Sequence, residues 1–325
     1  MITLIITAYK EPKTLEKQLT NITRQLSRLN VSAEILVCAP DPETQEIALN
    51  YHKNNPQVKL LKDKGIGKPA ALNIAFQEAK GDILILTDGD VEIGEEAISK
   101  ILKPFKNPKM GAVSGRPISI NPRSNIFGFW AYILTEMAHK IRLQRTKEGK
   151  YIDCSGYLYA MRGSLIKNIP ENTLSDDALI SSLIYNKGCQ ITYTPEAKVY
   201  VKYPNNFKDW IKQKKRSTGG YVQIPNLIKK SLGVGADPRV RLSNLKTNEG
   251  QTHGSAPTMR GLSPEIKGIF QIFKYAQNPQ EFWWTILLIF ARIYLWWLIF
   301  WELKIKKTPF VKMWQRVEST KINPN

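Results

Sequence analysis

Short apolar runs separated by helical periods constrain this chain more than any other feature of its sequence. Residues 2–8, 35–38, 58–61 and 83–86 are such runs, dominated by Ile, Leu and Val. The β-branched stretch 2–8 has the pattern of a buried strand, without the basic leader of a signal peptide. Pro12 suits a first helical turn, and Leu15, Leu19, Ile22, Leu26 and Leu29 then recur at spacings of three and four, an amphipathic stripe. Helices are expected again over 69–79 and 95–105. This alternation folds through right-handed crossovers into a mostly parallel sheet covered by helices on both faces. The expected class is therefore α/β. Ligands of such sheets bind beyond the carboxyl ends of the strands, so the polar residues closing each run are the candidates for chemistry.

The pattern then changes. Residues 126–141 form a longer, aromatic-rich helical period, 157–161 and 191–193 are expected strands, and 177–185 an expected helix. Residues 233–264 cluster Gly, Pro, Ser and Asn without a period and are expected to be a loop. In 282–301 only Thr285 and Arg292 are neither apolar nor aromatic, and five of the eight tryptophans fall there. Twenty helical residues reach about 30 Å, the hydrocarbon thickness of a bilayer. The segment is expected to attach to a membrane, by crossing it or by lying at its interface; a buried core helix is the alternative. Arg292 weighs against a plain single span, at a cost of about 3 kcal/mol on insertion scales.

With 42% hydrophobic and 23% charged residues over 325 positions, the chain is neither disordered nor low in complexity. Lys plus Arg number 47 against 28 Asp plus Glu, a net +19, and residues 202–246 alone carry eleven basic side chains against two acidic. A basic C-terminal third suits a polyanion, either nucleic acid or an anionic membrane. The adjoining Trp-rich apolar segment favours the membrane, so Lys214, Lys215, Lys229 and Lys230 are expected to face anionic headgroups and no nucleic-acid partner is expected. Cys38, Cys154 and Cys189 are too few and too scattered for a disulfide framework or a zinc site, which fits a reducing, cytosolic setting.

Four motifs could carry chemistry. Asp88-Gly89-Asp90 closes the run 83–86; it is either an ordinary Asp-Gly turn or a carboxylate pair for a hard cation such as Mg2+ or Mn2+, which takes one or two carboxylates plus substrate phosphates. Gly65-Ile66-Gly67-Lys68-Pro69 precedes a helix but has neither the P-loop nor the dinucleotide spacing. Ser175-Asp176-Asp177 is a helix start with acids in its first turn, or a general base. Gln213-Lys214-Lys215-Arg216 is a solvated basic face, or a diphosphate clamp.

Taken in order, these residues resemble family 2 glycosyltransferases of the GT-A fold, in their membrane-associated, inverting branch. Thr7-Ala8-Tyr9-Lys10-Glu11 is similar to the family's opening strand and loop, and Gly67-Lys68-Pro69-Ala70-Ala71-Leu72-Asn73 to its Gly-Lys-x-x-Ala-Leu-Asn segment. Asp88-Gly89-Asp90 resembles the D-x-D motif, Cys154-Ser155-Gly156 with Arg162 the acceptor-side strand, Ser175-Asp176-Asp177 the motif whose last acid is the base, and Gln213-x-x-Arg216 the start of Gln-x-x-Arg-Trp. Ser217 stands where that motif has Trp, a residue associated with processive synthases, and Ala39-Pro40-Asp41 stands where the family usually has an acidic pair.

The resemblance implies Asp177 and Asp176 as catalytic acids and Asp90 with Asp88 as ligands of a divalent cation. It implies Ala8, Tyr9, Glu11, Asp41, Lys68, Asp88, Gln213 and Arg216 as nucleotide-sugar contacts, and Ser155 and Gly156 on the acceptor side. The implied protein is a cell-membrane enzyme with a cytosolic catalytic domain. It would move a sugar from a nucleoside diphosphate, UDP first, to a glycan or lipid-linked acceptor in cell-envelope polysaccharide or glycolipid synthesis. The expected division is a GT-A domain over 1–225, a basic interfacial segment over 226–281, a membrane helix over 282–302 and a basic tail over 303–325. A polyprenyl-phosphate acceptor is the alternative within the class. A nucleotidyltransferase or a basic nucleic-acid-binding protein are the alternatives outside it.

Overall fold

The computed structural model describes residues 1–231, 271–313, 315 and 317–321. Its strands are β1 (Ile2–Thr7), β2 (Ala33–Ala39), β3 (Val58–Lys62), β4 (Ile83–Asp88), β5 (Glu92–Ile93), β6 (Met110–Ser119), β7 (Leu158–Arg162) and β8 (Gln190–Val201). Its α-helices are α1 (Pro12–Leu29), α2 (Pro42–Asn54), α3 (Lys68–Glu78), α4 (Ala97–Leu102), α5 (Ile126–Lys147), α6 (Asp176–Asn186), α7 (Phe207–Ser231) and α8, the helix Pro279–Phe300. A π-helical turn, Trp301–Ile305, continues α8.

The strands form one sheet in the order β3-β2-β1-β4-β7-β6-β8-β5. The first four are parallel, as the alternation of runs and helical periods dictates. From β7 onward the pairings are antiparallel, β7 to β4, β6 to β7 and β5 to β8, so the sheet is mixed. Leu4, Ile5 and Ile6 of β1 are fully buried, as are Leu15, Leu19 and Ile22 of the α1 stripe, which puts the predicted apolar face of α1 in the core. Two helices went unread in the sequence. Asp41 caps α2 by accepting from the Thr44 backbone N–H at 3.0 Å, with Pro42 in the first turn. In α7, dense charge and an internal Pro225 hide the period.

The chain gathers into two compact units. One comprises Met1–Ile118, Arg142–Val201 and Lys321–Asn325; the other comprises Ser119–Ile141 and Lys202–Thr320. These bounds differ from the expected division: residue 225 lies inside α7, and 119–141 group with the C-terminal part. The reason is the core of the second unit, where Phe129, Trp130 and Ile133 of α5 pack with Trp210 of α7 and with Leu288 and Ala291 of α8. Trp130 Nε1 donates to the Trp284 carbonyl at 2.7 Å and its ring meets that of Trp210 edge-on at 5.2 Å. The expected loop over 233–264 lies outside the described residues.

At the amino edge of the first unit, the Glu34 carboxylate accepts from Thr3 Oγ1 at 2.8 Å, the Lys80 N–H at 2.7 Å and Lys59 at 3.1 Å. Gly81 closes this cluster, donating to Thr3 Oγ1 at 2.8 Å. A Cβ at Gly81 would lie 2.3 Å from the Thr3 backbone nitrogen, and backbone in a paired strand has nowhere to go. Gly81→Ala is therefore expected to cost about 3 kcal/mol, read as a lower urea midpoint; an unchanged midpoint would show that the strand edge yields.

Candidate active site

The carboxyl ends of β1 and β4 meet in register, Thr7 opposite Asp88, and both chains turn there. The Gly89 N–H donates to the Thr7 carbonyl at 2.8 Å, so Asp88-Gly89-Asp90 is indeed a turn. It is a turn that only glycine permits: a Cβ at position 89 would sit 2.5 Å from the Ala8 Cβ and 2.6 Å from a Glu11 carboxylate oxygen. That close approach brings Glu11, at the start of α1, against Asp88 and Asp90. The Gln18 amide of α1 fastens the turn from behind, donating to the Asp88 carbonyl at 2.9 Å.

Lys68 opens α3 after two glycines with positive φ, Gly65 at 66° and Gly67 at 130°, a left-handed backbone that side chains resist. Its ammonium reaches Asp88 Oδ1 at 2.6 Å, Asp176 Oδ2 at 3.5 Å and the Gly156 carbonyl at 3.4 Å. Asp176 and Asp177 begin α6 behind Ser175, whose side chain makes no capping bond. Asp177 Oδ2 accepts from the Gly156 N–H at 2.8 Å, and Oδ1 from the Ala178 N–H at 2.9 Å. The buried Ser155 N–H donates to Ser114 Oγ at 3.0 Å. One group thus unites Lys68, Asp88, Gly156, Asp176 and Asp177, and a second, joined to it through the Asp88–Asp90 turn, unites Glu11 and Asp90.

The second group contains a residue the sequence did not single out. Lys321 donates to Asp90 Oδ2 at 2.8 Å and to Glu11 Oε1. Its ammonium is a built-in cation between two acids, 231 positions along the chain from Asp90. Other expected site residues have different surroundings. The Asp41 carboxylate is committed to α2 and to the loop after β1, accepting from Thr44 Oγ1 at 2.7 Å and the Lys10 N–H at 2.7 Å. Ala8 is buried, and Tyr9 is exposed with the Lys10 ammonium 5.5 Å from its ring centre. Gln213 and Arg216 lie on α7 in the second unit, Gln213 buried and Arg216 half-buried.

The electrostatics follow from this crowding. Burial, then the Asp90 charge, push the Glu11 carboxyl up to about 8, with Lys321 opposing. Burial and the Asp176 charge push Asp177 up to about 6, against the pull of Lys68. For Lys68, burial alone would lower the ammonium's pKa, but Asp176 and Asp88 overturn that and hold it above its ordinary value. Among the described residues no three His, Cys, Asp or Glu side chains converge as a complete metal site. A hard cation here would use Asp90 and Asp88 and take the rest of its shell from substrate oxygens and water, the usual arrangement for Mg2+. The Lys321 ammonium, bound by Asp90 and Glu11, shows that positive charge is accepted beside Asp90.

Residues 1–220 match the family described as glycosyltransferase like family 2. The chain belongs to that family. Its curated relatives include the poly-beta-1,6-N-acetyl-D-glucosamine synthases of Staphylococcus aureus (strain COL) and Staphylococcus epidermidis (strain ATCC 35984), each 25% identical over 228 residues. That alignment covers 68% of this chain and 54% of each relative, so the chain spans about half the length of the curated relatives it matches. Among solved structures, a mannosyltransferase from Pyrobaculum calidifontis in complex with GDP-Man and Mn2+ superposes with a TM-score of 0.54 at 19% identity, covering 96% of this chain and 83% of that one. The chain thus shares with this solved neighbour the GT-A arrangement, a mixed sheet with helices on both sides.

The raised Asp177 carboxyl gives a stability prediction with a definite sign. The folded protein keeps this proton up to about pH 6, whereas the unfolded chain releases it near pH ~4. Between those values the folded state binds more protons, so its stability falls as pH rises. Urea unfolding from pH ~4 to ~7 is expected to show Asp177→Asn gaining stability relative to wild type across that window. A difference that stays flat with pH would mean that Asp177 titrates normally.

Proposed function

We propose that this protein is a divalent-cation-dependent, inverting glycosyltransferase that moves a sugar from a nucleoside diphosphate, UDP first, to a hydroxyl of a glycan or lipid-linked acceptor. The membrane's cytosolic face is the proposed location, and cell-envelope polysaccharide or glycolipid synthesis the proposed context. The observation that carries the reading is the convergence of Lys68, Asp88, Asp90 and Asp177 at the carboxyl ends of β1 and β4, in a chain of this family. The Staphylococcus relatives, named as synthases of an N-acetyl-D-glucosamine polymer, support a sugar donor and a glycan acceptor. The Pyrobaculum neighbour's GDP-Man and Mn2+ are in keeping with a nucleotide sugar and a divalent cation.

Inversion asks for one in-line displacement at the anomeric carbon, with no covalent enzyme intermediate. Asp90 and Asp88 would hold Mg2+ or Mn2+, which when bound would supply positive charge against that developing on the departing diphosphate. Lys68, kept charged by Asp88 and Asp176, presents a fixed cation to the same phosphates. Asp177 takes the proton of the attacking hydroxyl. Its carboxyl, raised to about 6, is closer to operating pH than an ordinary aspartate, as a general base should be. That favours a hydroxyl acceptor over a polyprenyl phosphate, which needs little base assistance. Ser155 and Gly156 border the acceptor side, and Gly156 fixes Asp177 through its N–H. For Tyr9, Asp41, Gln213 and Arg216, contact with the nucleotide rests on the family motifs alone.

The direct test is a panel of UDP-, GDP- and dTDP-sugars, each with and without Mn2+, read as thermal stabilisation and as released nucleoside diphosphate. A UDP-sugar is expected to stabilise the protein only with Mn2+. Asp90→Ala should lose both readouts, while Asp177→Asn should keep binding and lose about 10²–10⁴ in transfer rate. Stabilisation by none of the panel would sink the reading, and wild-type transfer by Asp177→Asn would remove the base from Asp177.

Lys321 supplies an independent check on the cation position. Its ammonium holds Asp90, which a divalent cation would claim, so the two compete. Lys321→Ala is expected to bind Mn2+ several-fold more tightly in the presence of UDP, measured as the loss of the free-ion signal in electron paramagnetic resonance. Equal or weaker affinity would place the cation elsewhere.

A further inference from the structure

Helix α8 has its polarity reversed relative to a helix of a water-soluble unit. Its polar residues Glu281 and Thr285 lie on the buried face with Leu288, Ala291, Leu295 and Ile299. Arg292 is half-buried, and its charge, together with burial, pushes the Lys214 ammonium on α7 down to about 8. The outward face carries no charged side chain, and Trp283, Phe290, Ile293, Trp297 and Phe300 are each more than half exposed, at 64%, 63%, 60%, 53% and 57%. A soluble amphipathic helix does the opposite, and an apolar strip this long facing water marks a surface that is covered in use.

The helix is also tied down at both ends within its own unit. At its start the Arg123 guanidinium grips both Glu281 oxygens at 2.6 Å and the Tyr275 carbonyl at 2.8 Å. Just past its end, Lys215 of α7 pairs with Glu302 at 2.6 Å. Lys215 is therefore engaged by Glu302, which corrects the expectation that it faces headgroups; Lys214 is half-buried, Lys229 is exposed, and the Lys230 side chain lies outside the described residues. The helical rise from Glu281 to Glu302 covers about 32 Å, the thickness of a bilayer core. Were α8 to cross the membrane, it would have to shed both ion pairs or carry α7 with it. Lys208, Asp209, Lys212, Lys214, Lys215 and Arg216 of α7 would then sit at membrane depth, where charged side chains are strongly disfavoured. Lying flat costs none of these contacts.

We infer that α8 is an interfacial helix whose outward aromatic face rests in the acyl–headgroup boundary of an anionic bilayer without crossing it. Charge complementarity selects anionic lipid: Lys304, Lys306 and Lys307 follow the helix and Lys274 precedes it, all four exposed. Along the outer face Tyr294, Trp297 and Trp301 stack in series, with centroids 6.0 and 5.8 Å apart. Such a run of amphipathic rings suits the headgroup level. The inference rests on the membrane location proposed above and gives it a geometry.

The test uses the full chain with Cys189→Ser, mixed with phosphatidylcholine vesicles with or without phosphatidylglycerol. Flotation is expected with the anionic vesicles and several-fold less with phosphatidylcholine alone or after Lys304→Glu with Lys306→Glu and Lys307→Glu. On this background Gln280→Cys and Lys306→Cys mark the two ends of α8. Both are expected to react with a membrane-impermeant maleimide added outside intact vesicles. Protection of either end until detergent is added would mean that the helix crosses, and absence of flotation with anionic vesicles would mean that its outer face serves something other than lipid. Flotation and donor-induced stabilisation read different parts of the molecule, so either reading can fail alone.

Discussion

Uncompensated negative charge at one edge of the sheet is the constraint on which the rest of the first unit depends. Glu11, Asp88, Asp90, Asp176 and Asp177 are drawn together there with two ammonium groups, Lys68 and Lys321. Carboxylates so close, and partly out of water, cannot all ionise without cations between them. The structure meets this in two ways. Lys68 pairs with Asp88 and Asp176, and Lys321 with Glu11 and Asp90. Burial and neighbouring charge raise the Glu11 and Asp177 carboxyls, which therefore hold their protons to higher pH than ordinary acids. A site in this condition is primed for added positive charge, since a divalent ion relieves repulsion that the fold itself has built up.

The backbone enforces the crowding. Parallel pairing sets Thr7 beside Asp88 at the ends of β1 and β4, and Gly89 lets the turn press on Ala8 and Glu11. On the other side, β7 pairs antiparallel with β4, which returns Gly156, just before β7, to the same edge. Its N–H then fixes Asp177 and its carbonyl accepts from Lys68. The mixed half of the sheet is thus what joins the proposed base to the proposed cation ligands.

How much of this could be read in the sequence follows from how local each signal is. Asp88-Gly89-Asp90 and Asp176-Asp177 were legible because each abuts the end of a strand or helix whose period is clear over a few residues. Lys321 was not, because its partners lie 231 and 310 positions away and nothing near it is patterned. Asp41 carried two competing signals: family position suggested a nucleotide contact, while Asp41-Pro42-Glu43-Thr44 is a sound helix start, and the structure shows the carboxylate spent on capping. Strand β8 extends far beyond the segment 191–193 that announced it, because Thr, Glu and Lys alternate with buried Ala197 and Val199. Membership of α5 in two units was illegible for a further reason, since the helix runs unbroken from Ile126 to Lys147 and only the packing of Phe129 and Trp130 reveals the change.

The C-terminal helix shows the limit of hydropathy. The stretch Pro279–Ile305 is long and apolar enough to cross a membrane by length and composition, with a mean hydropathy of 1.8 over an 18-residue window. That average cannot tell a helix in lipid on every side from one in lipid on one side, because both are apolar all round. The distinction lies in the few polar residues and in what they touch. Glu281 and Glu302, at either end, are held by Arg123 and Lys215 from neighbouring segments of the same unit. A lone spanning helix has no use for such ties, whereas a helix fastened along one side needs them at both ends to keep its aromatic face turned outward. The mid-segment arginine, which in the sequence weighs against a plain single span, is half-buried and so is compatible with a helix attached along one side.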